Sequence, residues 1–337
     1  MSGRHMATEM QQQPEVLRRL FAQREPLVSR LRSALPEDLR GIALVARGSS
    51  SNAAVYGRYV LEVASGLPVV MVAPSLHTIH RVRACYDGYL AVAISQSGRT
   101  PEILTVLDAL VAAGACGIAI TNEPDSPLGE AASQAIHLGA GTEQAVPATK
   151  TFTAQLAAFC LLADALGAPP WRDRGLDEVP SAVREVLDDE SPAVAAAERI
   201  GAASGLLCVG RGFAYAVALE AALKLQETTS ILAQGYSSAD VRHGPIAVVD
   251  AGVPVVMFRS GDAAADLAEL TGELRGRGGD VIDVGPAGDL PVPAGVPDAL
   301  TVFPAAVRAQ QLAFHLAQWR GRDPDRPAGL HKVTPTT

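Results

Sequence analysis

The sequence predicts an α/β protein with two tandem, doubly wound parallel-sheet domains. Short aliphatic runs such as GIALVA, LAVAIS and CGIAIT alternate with alanine-rich helical stretches from residue 41 onward. This alternation is typical of buried parallel strands joined by helices. The second half also repeats the first, because LVARGSSSNAAV at 44–55 aligns with CVGRGFAYAVAL at 208–219. Two copies of one α/β unit are therefore expected.

Five consecutive parts follow from these patterns. An amphipathic helix is predicted over 14–35, PEVLRRLFAQREPLVSRLRSAL, and the opening MSGRHM is treated as foreign to the fold. The stretch 168–200 lacks strand signals and reads as a helical connector. The predicted parts are an N-terminal tail and helix (1–40), a first domain that binds phosphate (41–167), the connector (168–200), a second domain (201–322) and a C-terminal tail (323–337).

Composition favours a small-molecule partner over a macromolecule. The formal net charge is −8 and no block of Lys or Arg occurs, so neither nucleic acid nor a membrane surface is an expected partner. The four cysteines are widely scattered and lack CxxC spacing, which predicts buried free thiols in a reducing cytoplasm. His77 and His80 have HxxH spacing without a carboxylate or Cys at ligand spacing, so no metal site is predicted.

The stretch ISQSGRTPEILTVL at 94–107 has the features of an anion site. An aliphatic strand ends there, and a helix is predicted from Pro101 with Thr100 at its N-cap. Ser95, Ser97 and Thr100 would then offer hydroxyls beside free helix amides, an arrangement suited to phosphate. One such cluster alone would more often be simple helix capping. A second cluster, RGSSS at 47–51, also follows a strand and favours phosphate binding.

The acid and base candidates lie in 210–243. Glu220, Lys224 and Glu227 have the spacing i, i+4 and i+7, which places them on one face of a helix; an exposed salt-bridged stripe is the alternative. His243 lies in a Gly-Pro turn that is predicted to lead directly into an apolar strand, and with a glutamate it would form an acid/base pair. The tail residue Lys332 is either part of a disordered terminus or a lysine that meets a carbonyl.

Several motifs together resemble the sugar isomerase (SIS) family of tandem, flavodoxin-like domains. They are RGSSSNA, ISQSGRTPE, GTEQAVPATKTFTAQL, GRGFAYAVALEAALKLQE, SSADVRHGPIA and PDRPAGLHKVT. The similarity runs from about residue 41 to the end of the chain. It is greatest to stand-alone glucosamine-6-phosphate deaminases and to the isomerase half of glucosamine-6-phosphate synthase.

The resemblance implies a role for each matching residue. Glu227 would be the base that moves a proton between C2 and C1, with Lys224 beside it. His243 would open the sugar ring from a neighbouring subunit, which implies a homodimer, and Lys332 would contact the carbonyl end while the tail closes the site. The implied phosphate ligands are Ser50, Ser95, Gln96, Ser97 and Thr100, and the other substrate-binding candidates are Ser49, Arg99, Val146 and His331.

The implied activity is deamination of glucosamine 6-phosphate to fructose 6-phosphate and ammonia, without a cofactor. The synthase's glutaminase domain is not visible, so glutamine-fed amination is not expected. Two positions depart from the family pattern: Gln234 replaces the glutamate of an HAEA motif, and Gln226 replaces a lysine beside the base. These changes leave open a dehydratase acting on N-acetylglucosamine 6-phosphate and a fructosamine-phosphate deglycase. A phosphosugar sensor is the non-enzymatic alternative.

Overall fold

The computed structural model describes residues 2–171 and 175–332. They form two compact units: the first-sheet unit holds 16–142 and 151–171, and the second-sheet unit holds 2–15, 143–150 and 175–332. Segments from the amino-terminal half therefore group with the second sheet. The bounds predicted from the sequence stay a prediction.

The first-sheet unit contains a five-stranded sheet in which every neighbouring pair is parallel. Its order is β2-β1-β3-β4-β5, so the chain places β2 on one side of β1 and continues with β3 on the other. The aliphatic runs GIALVA, LAVAIS and CGIAIT form central strands as predicted. The strands are β1 (Gly41–Val45), β2 (Val69–Met71), β3 (Tyr89–Ile94), β4 (Cys116–Thr121) and β5 (Gln134–His137).

Helices cover this sheet, and their apolar faces complete its core. On one face, Ile103, Val106 and Leu110 pack with strand residues such as Val45 and Ala93, and all five side chains are almost fully buried. The helices along this part of the chain are α1 (Arg4–Ala22), α2 (Arg24–Ala34), α3 (Gly48–Ser65), α4 (Pro74–Thr78), α5 (Pro101–Ala112), α6 (Pro127–Ala131) and α7 (Lys150–Leu166).

The helix predicted over 14–35 is in fact two helices, α1 and α2, which are separated at Gln23. The prediction that MSGRHM is foreign to the fold is wrong as well. Helix α1 already begins at Arg4, and the side chain of Met6 is 0% exposed. A polar, short opening stretch carries too little periodicity to indicate a helix by itself.

The second-sheet unit contains a parallel sheet with the same topology. The order β10-β9-β8-β6-β7 reproduces the order of the first sheet when its strands are renumbered from β6. The internal repeat predicted from the sequence is therefore a repeat of fold. The strands are β6 (Gly205–Gly210), β7 (Leu232–Ser237), β8 (Pro254–Phe258), β9 (Asp280–Gly285) and β10 (Leu290–Pro291).

The predicted connector 168–200 contributes α8 (Gly175–Asp188) and α9 (Ser191–Ile200) to this unit. The apolar run IAVV after the Gly-Pro turn is a 3₁₀ helix, Pro245–Val248, and the next strand starts only at Pro254. The expectation that His243 leads directly into a strand is therefore wrong. The remaining helices are α10 (Ala214–Thr229), α11 (Ser238–Arg242), α12 (Ala264–Gly276) and α13 (Val302–Trp319).

All four cysteines are free thiols, but they are not all buried. Cys160 and Cys208 are buried, Cys116 is half-buried and Cys85 is exposed. Burial raises the pKa of the Cys160 and Cys208 thiols. The prediction of buried thiols is thus wrong for Cys85, which lies in the exposed stretch between α4 and β3. Within the described residues, no helix is both long and apolar enough to cross a membrane.

Candidate active site

A cluster of hydroxyl groups lies at the carboxyl end of the first sheet. Ser95, Ser97 and Thr100 follow β3, and Ser50 lies in the first turn of α3, which follows β1; these four residues are the hydroxyl cluster. Strands β1 and β3 are neighbours, and the chain direction across the sheet reverses between them. Ligands of open α/β sheets bind at such a switch point.

Hydrogen bonds within the loop after β3 hold its hydroxyls in place. The Ser95 and Thr100 hydroxyls are 3.2 Å apart, and the backbone N–H of Arg99 donates to Ser97 Oγ at 3.3 Å. Thr100 occupies the N-cap position of α5, but its side chain does not cap the helix. The predicted N-cap position is confirmed, but the predicted capping role is wrong, because the Thr100 hydroxyl pairs with that of Ser95 instead.

Gly98 is the turn residue of this loop. Its φ is +60°, and a Cβ at this position would collide with Ser126 Oγ. Gln96 is half-buried, and its carbonyl accepts a hydrogen bond from the N–H of Asn122 at 3.0 Å. Arg99 is exposed. The loop is therefore tied to β4's end on one side and leaves a cation at the surface on the other.

Two contacts of the loop after β1 were not expected from the sequence. The amide of Gln155 on α7, which is 1% exposed, donates to Ser50 Oγ at 2.9 Å. Arg47 makes a bidentate pair with the buried Glu102, at 2.7 and 2.8 Å. Since Arg47 precedes α3 and Glu102 lies in the first turn of α5, this pair joins the two loops that carry the hydroxyl cluster. Ser49, in the first turn of α3, is half-buried.

In the second-sheet unit, the equivalent loop already holds a carboxylate of the chain. Ser260 Oγ donates to one oxygen of Asp298 at 2.9 Å, and the N–H of Gly261 donates to the other at 2.5 Å. Ser260 and Gly261 are the residues that align with Ser97 and Gly98. A negative charge of the protein itself thus occupies the hydroxyl and amide of this loop, whereas in the first repeat the N–H of Gly98 donates to the carbonyl of Ser95 at 3.2 Å.

An ionic triad lies on α10. The Lys224 ammonium contacts the carboxylate of Glu227 and lies 3.5 Å from Glu220. The Lys224 and Glu220 side chains are 1% and 2% exposed, whereas the Glu227 side chain is 19% exposed. The alternative of a solvent-exposed stripe is therefore wrong, and Glu227 is the member of the triad that a ligand can reach.

The triad keeps Lys224 charged. Burial alone lowers the pKa of Lys224, but the carboxylates of Glu227 and Glu220 outweigh burial, so the pKa lies above its ordinary value. A buried ammonium is stable only with such partners. It holds the Glu227 carboxylate in one orientation through a charge-assisted hydrogen bond.

The tail lysine is bonded to the segment 143–150. Lys332 Nζ donates to Glu143 Oε2 at 2.6 Å and to the carbonyl of Ala145 at 2.8 Å. The Glu143 side chain is fully buried, and its other oxygen accepts from the N–H of Thr149 at 3.0 Å. Lys332 therefore has a defined position, and residues 333–337 of the tail lie outside the described residues.

Three further predicted site residues of the second-sheet unit, Val146, His331 and His243, are half-buried or exposed. Val146 is half-buried, and its N–H donates to the carbonyl of Asp325 at 3.0 Å. His331 precedes Lys332 and is exposed. His243 is also exposed and ends α11. Among the described residues, no group of three or more His, Cys, Asp or Glu side chains could hold a metal ion.

Comparison with protein families identifies the fold family. The SIS domain model matches residues 38–165 and 202–284, one match in each half of the chain. The chain belongs to the SIS domain family. The first match covers the hydroxyl cluster, and the second covers α10.

Alignments with named SIS relatives extend over most of this chain. A glutamine–fructose-6-phosphate aminotransferase (isomerizing) from Methanothermobacter thermautotrophicus is 36% identical over 88% of this chain and 51% of its own length. The chain spans about half the length of the curated relatives it matches. A glucosamine-6-phosphate deaminase structure from Thermotoga maritima has 26% identity and a TM-score of 0.82, covering 98% of this chain and all of that one.

A second SIS structure gives the same result. The C-terminal domain of glucosamine-fructose-6-phosphate aminotransferase from Francisella tularensis has 26% identity and a TM-score of 0.84. The alignment covers 96% of this chain and 98% of that domain. The predicted resemblance to the SIS family is thus confirmed.

Sequence reasoning missed several residues of the two clusters. Glu143 lies in GTEQAVPATK, part of a motif that resembles the SIS family, but the sequence indicates no role for this glutamate. Gln155 and Glu102 carry polar groups on helix faces that otherwise pack against the core, and this position was the available signal.

Proposed function

We propose that this SIS protein is an amino-sugar-phosphate enzyme that deaminates glucosamine 6-phosphate to fructose 6-phosphate and ammonia. The observation that carries the proposal is the ionic triad on α10. It combines a fully buried ammonium, Lys224, with one carboxylate, Glu227, that remains accessible to a ligand. This is the arrangement expected of a positioned general base.

The proposed reaction begins with the open-chain sugar, whose aldehyde is C1 and whose amine is on C2. Glu227 removes the C2 proton, and the electrons move into an enolamine. Return of the proton to C1, with transfer of a proton from the nitrogen to the C1 oxygen, produces the imine of fructose 6-phosphate, which water hydrolyses to the ketone and ammonia. Lys332 stabilises the negative charge that develops on the C1 oxygen, because its ammonium is held rigidly by Glu143 and Ala145.

The hydroxyl cluster would bind the phosphate of this substrate. It places several serine and threonine hydroxyls at a switch point of a parallel sheet. The pair of Arg47 and Glu102 supports the cluster, since it fixes the two loops to each other. The occupied loop at Asp298 supports one phosphate site per chain.

The names of the relatives support an amino sugar as the substrate. They include an aminotransferase that is named for fructose 6-phosphate and a deaminase that is named for glucosamine 6-phosphate. The alignment with the Thermotoga maritima deaminase extends over the whole of that chain.

The two glutamines that depart from the family pattern do not favour a different reaction. Gln226 is exposed, and its amide donates to the carbonyl of Ala233. Gln234 lies on β7, is also exposed and accepts from the hydroxyl of Tyr236. The hydrogen bonds described for these two glutamines thus have their partners in β7. Elimination and deglycation are therefore alternative outcomes when the protein is given the three phosphosugars.

The test is proton NMR of the protein with glucosamine 6-phosphate, N-acetylglucosamine 6-phosphate and a fructosamine phosphate in separate samples, with ammonia assayed in parallel. Fructose 6-phosphate and ammonia from the free amine are expected. An unsaturated product from the acetylated sugar would instead establish a dehydratase, and free amine from fructosamine would establish a deglycase. Binding without turnover of any of them would favour a sensor.

The role of Glu227 is tested in deuterated water. Glu227→Gln should slow exchange of the C2 proton by about 10²–10⁴-fold, the contribution of one general base. Affinity for the phosphosugar should change little, because the hydroxyl cluster is intact. Exchange at the wild-type rate in this variant would rule out Glu227 as the base.

We extend the proposal to a homodimer in which His243 acts in the site of the neighbouring copy. His243 is exposed at the end of α11, as a residue that serves a partner would be. Mixing inactive Glu227→Gln and His243→Ala proteins should restore about a quarter of the wild-type activity by random pairing. Mixing Glu227→Gln with the double variant is the matched control and should restore none. A monomer by light scattering would contradict the assignment.

A further inference from the structure

Lysine is rare in this chain, and each lysine contacts a side-chain oxygen of a glutamate or glutamine. Only three of the 28 basic residues are lysines: Lys150, Lys224 and Lys332. All three lie in the second-sheet unit. Each has an acidic or amide oxygen as a partner, because Lys150 donates to Gln12 Oε1 at 2.7 Å and the other two contact glutamates.

The segment that holds Lys332 is itself held by helix α1. Glu9 is 4% exposed, and its carboxylate accepts the backbone N–H groups of Gln144 and Ala145, the latter at 3.3 Å. The carbonyl of the same Ala145 accepts from Lys332. One alanine residue is thus bonded to Glu9 through its N–H and to Lys332 through its C=O.

A second connection closes this arrangement. The carboxylate of Asp325 accepts the N–H groups of His5 at 3.0 Å and Met6 at 2.7 Å, at the start of α1. The carbonyl of Asp325 accepts from Val146 at 3.0 Å. Helix α1, the segment 143–150 and the root of the tail are therefore joined in a ring of hydrogen bonds, with Glu9 on one side and Lys332 on the other.

We propose that Glu9 is a positioning residue that sets the place of the Lys332 ammonium through the backbone of Gln144 and Ala145. The inference rests on the proposed function, in which Lys332 meets the carbonyl end of the sugar. Glu9 acts only through the segment. It is therefore distinct from the residues that contact the substrate.

The chemistry of the contact calls for a carboxylate at Glu9. A carboxylate offers two acceptor oxygens to two N–H groups, whereas a glutamine in the same place offers one oxygen and turns an NH₂ group toward a donor. Burial raises the pKa of Glu9 above its ordinary value, and the Glu143 carboxylate adds to this rise. The backbone N–H groups of Gln144 and Ala145 and the Lys332 ammonium act in the opposite direction, without cancelling it. Glu9 and Lys332 are therefore coupled by charge as well as by hydrogen bonds.

The test uses the rarity of lysine. The full chain is labelled with an amine-reactive reagent without any substrate, and the rate at each of the three lysines is measured by mass spectrometry. In the wild type, Lys150 and Lys224 are buried and serve as unreactive references. Glu9→Gln and Glu9→Ala should increase the labelling rate of Lys332 by about fivefold, the equivalent of one lost hydrogen bond.

The matched control is Glu15→Gln, which makes the same chemical change at an exposed position of the same helix. It should leave the labelling of Lys332 unchanged. A selective increase at Lys332 supports the proposal. An equal increase at all three lysines would mean general loosening of the fold, and no increase would mean that Lys332 is placed independently; either result overturns it.

Kinetics then separate this inference from the proposed function. If the protein is a deaminase, Glu9→Gln should lower kcat with little change in KM, because phosphate binding depends on other residues. If no phosphosugar is converted by the wild type, the proposed function fails, but the labelling of Lys332 still decides the role of Glu9.

Discussion

Replacing Lys224 with Met tests whether the triad on α10 is a compensated buried charge network. The substitution keeps a side chain of similar length and removes the ammonium. Glu220 is 2% exposed and would remain as a buried carboxylate without its lysine partner. Breaking a buried pair in this way costs about 3–5 kcal/mol, because the remaining charge loses both its solvent and its counter-ion.

The magnitude is measurable in solution. For a unit of this size, about 1 kcal/mol corresponds to roughly 2–4 °C in Tm, so Lys224→Met should lower Tm by roughly 6–20 °C. The free energy of unfolding is measured from urea titrations followed by circular dichroism, in the absence of any ligand. The double variant Glu220→Gln, Lys224→Met removes both members of the pair and should cost clearly less than the single variant.

The pH dependence follows from the pKa of Lys224, which is raised above its ordinary value of 10.5. The folded chain holds this proton more tightly than the unfolded chain, so the stabilising contribution is complete below pH 10.5 and is lost as the pH rises through the folded pKa. The difference in free energy of unfolding between wild type and Lys224→Met should therefore be constant near neutral pH and shrink in strong alkali. A loss below about 1 kcal/mol, the range of an exposed pair, would refute the burial of this charge network.

Three further results are expected. Gly98→Ala should weaken phosphosugar binding measured by calorimetry, because the new Cβ collides with Ser126 and the backbone φ is +60°; unchanged affinity would separate this turn from the binding site. A thiol reagent should label Cys85 in the native protein and Cys208 only after unfolding, because Cys208 is buried with a raised pKa; rapid native labelling of Cys208 would contradict its burial. Hydrogen bonds from Ser238, and then Arg242, keep the pKa of Asp266 below 3.8, so its contribution to stability is present above pH 3.8 and is lost as the pH falls through the lower, folded value. In urea titrations at pH 7, the free energy of unfolding should therefore be lower for Asp266→Asn than for wild type, and this difference should disappear in acid. A difference that does not depend on pH would refute the lowered pKa of Asp266.

Local sequence patterns were enough to predict the fold class and the chemical groups of the candidate site. Buried parallel strands require continuous aliphatic runs, so β1, β3 and β4 were readable from local composition. The hydroxyl cluster was readable because polar residues must follow where a strand ends at a ligand-binding edge. The spacing of Glu220 and Lys224 placed them on one face of a helix, since helical periodicity is a local property.

Other features depended on which segments the folded chain brings together. Periodicity assigns residues to a helix face but cannot say whether that face is covered, so only the structure shows that Lys224 is 1% exposed. The run IAVV suits a strand or a turn equally well, because four apolar residues contain no decisive period. The bonds of Lys332 with Glu143 and of Glu9 with Ala145 join residues 189 and 136 positions apart. No local pattern encodes such pairs; they form because packing brings distant segments together, and buried charges and backbone donors must then find partners.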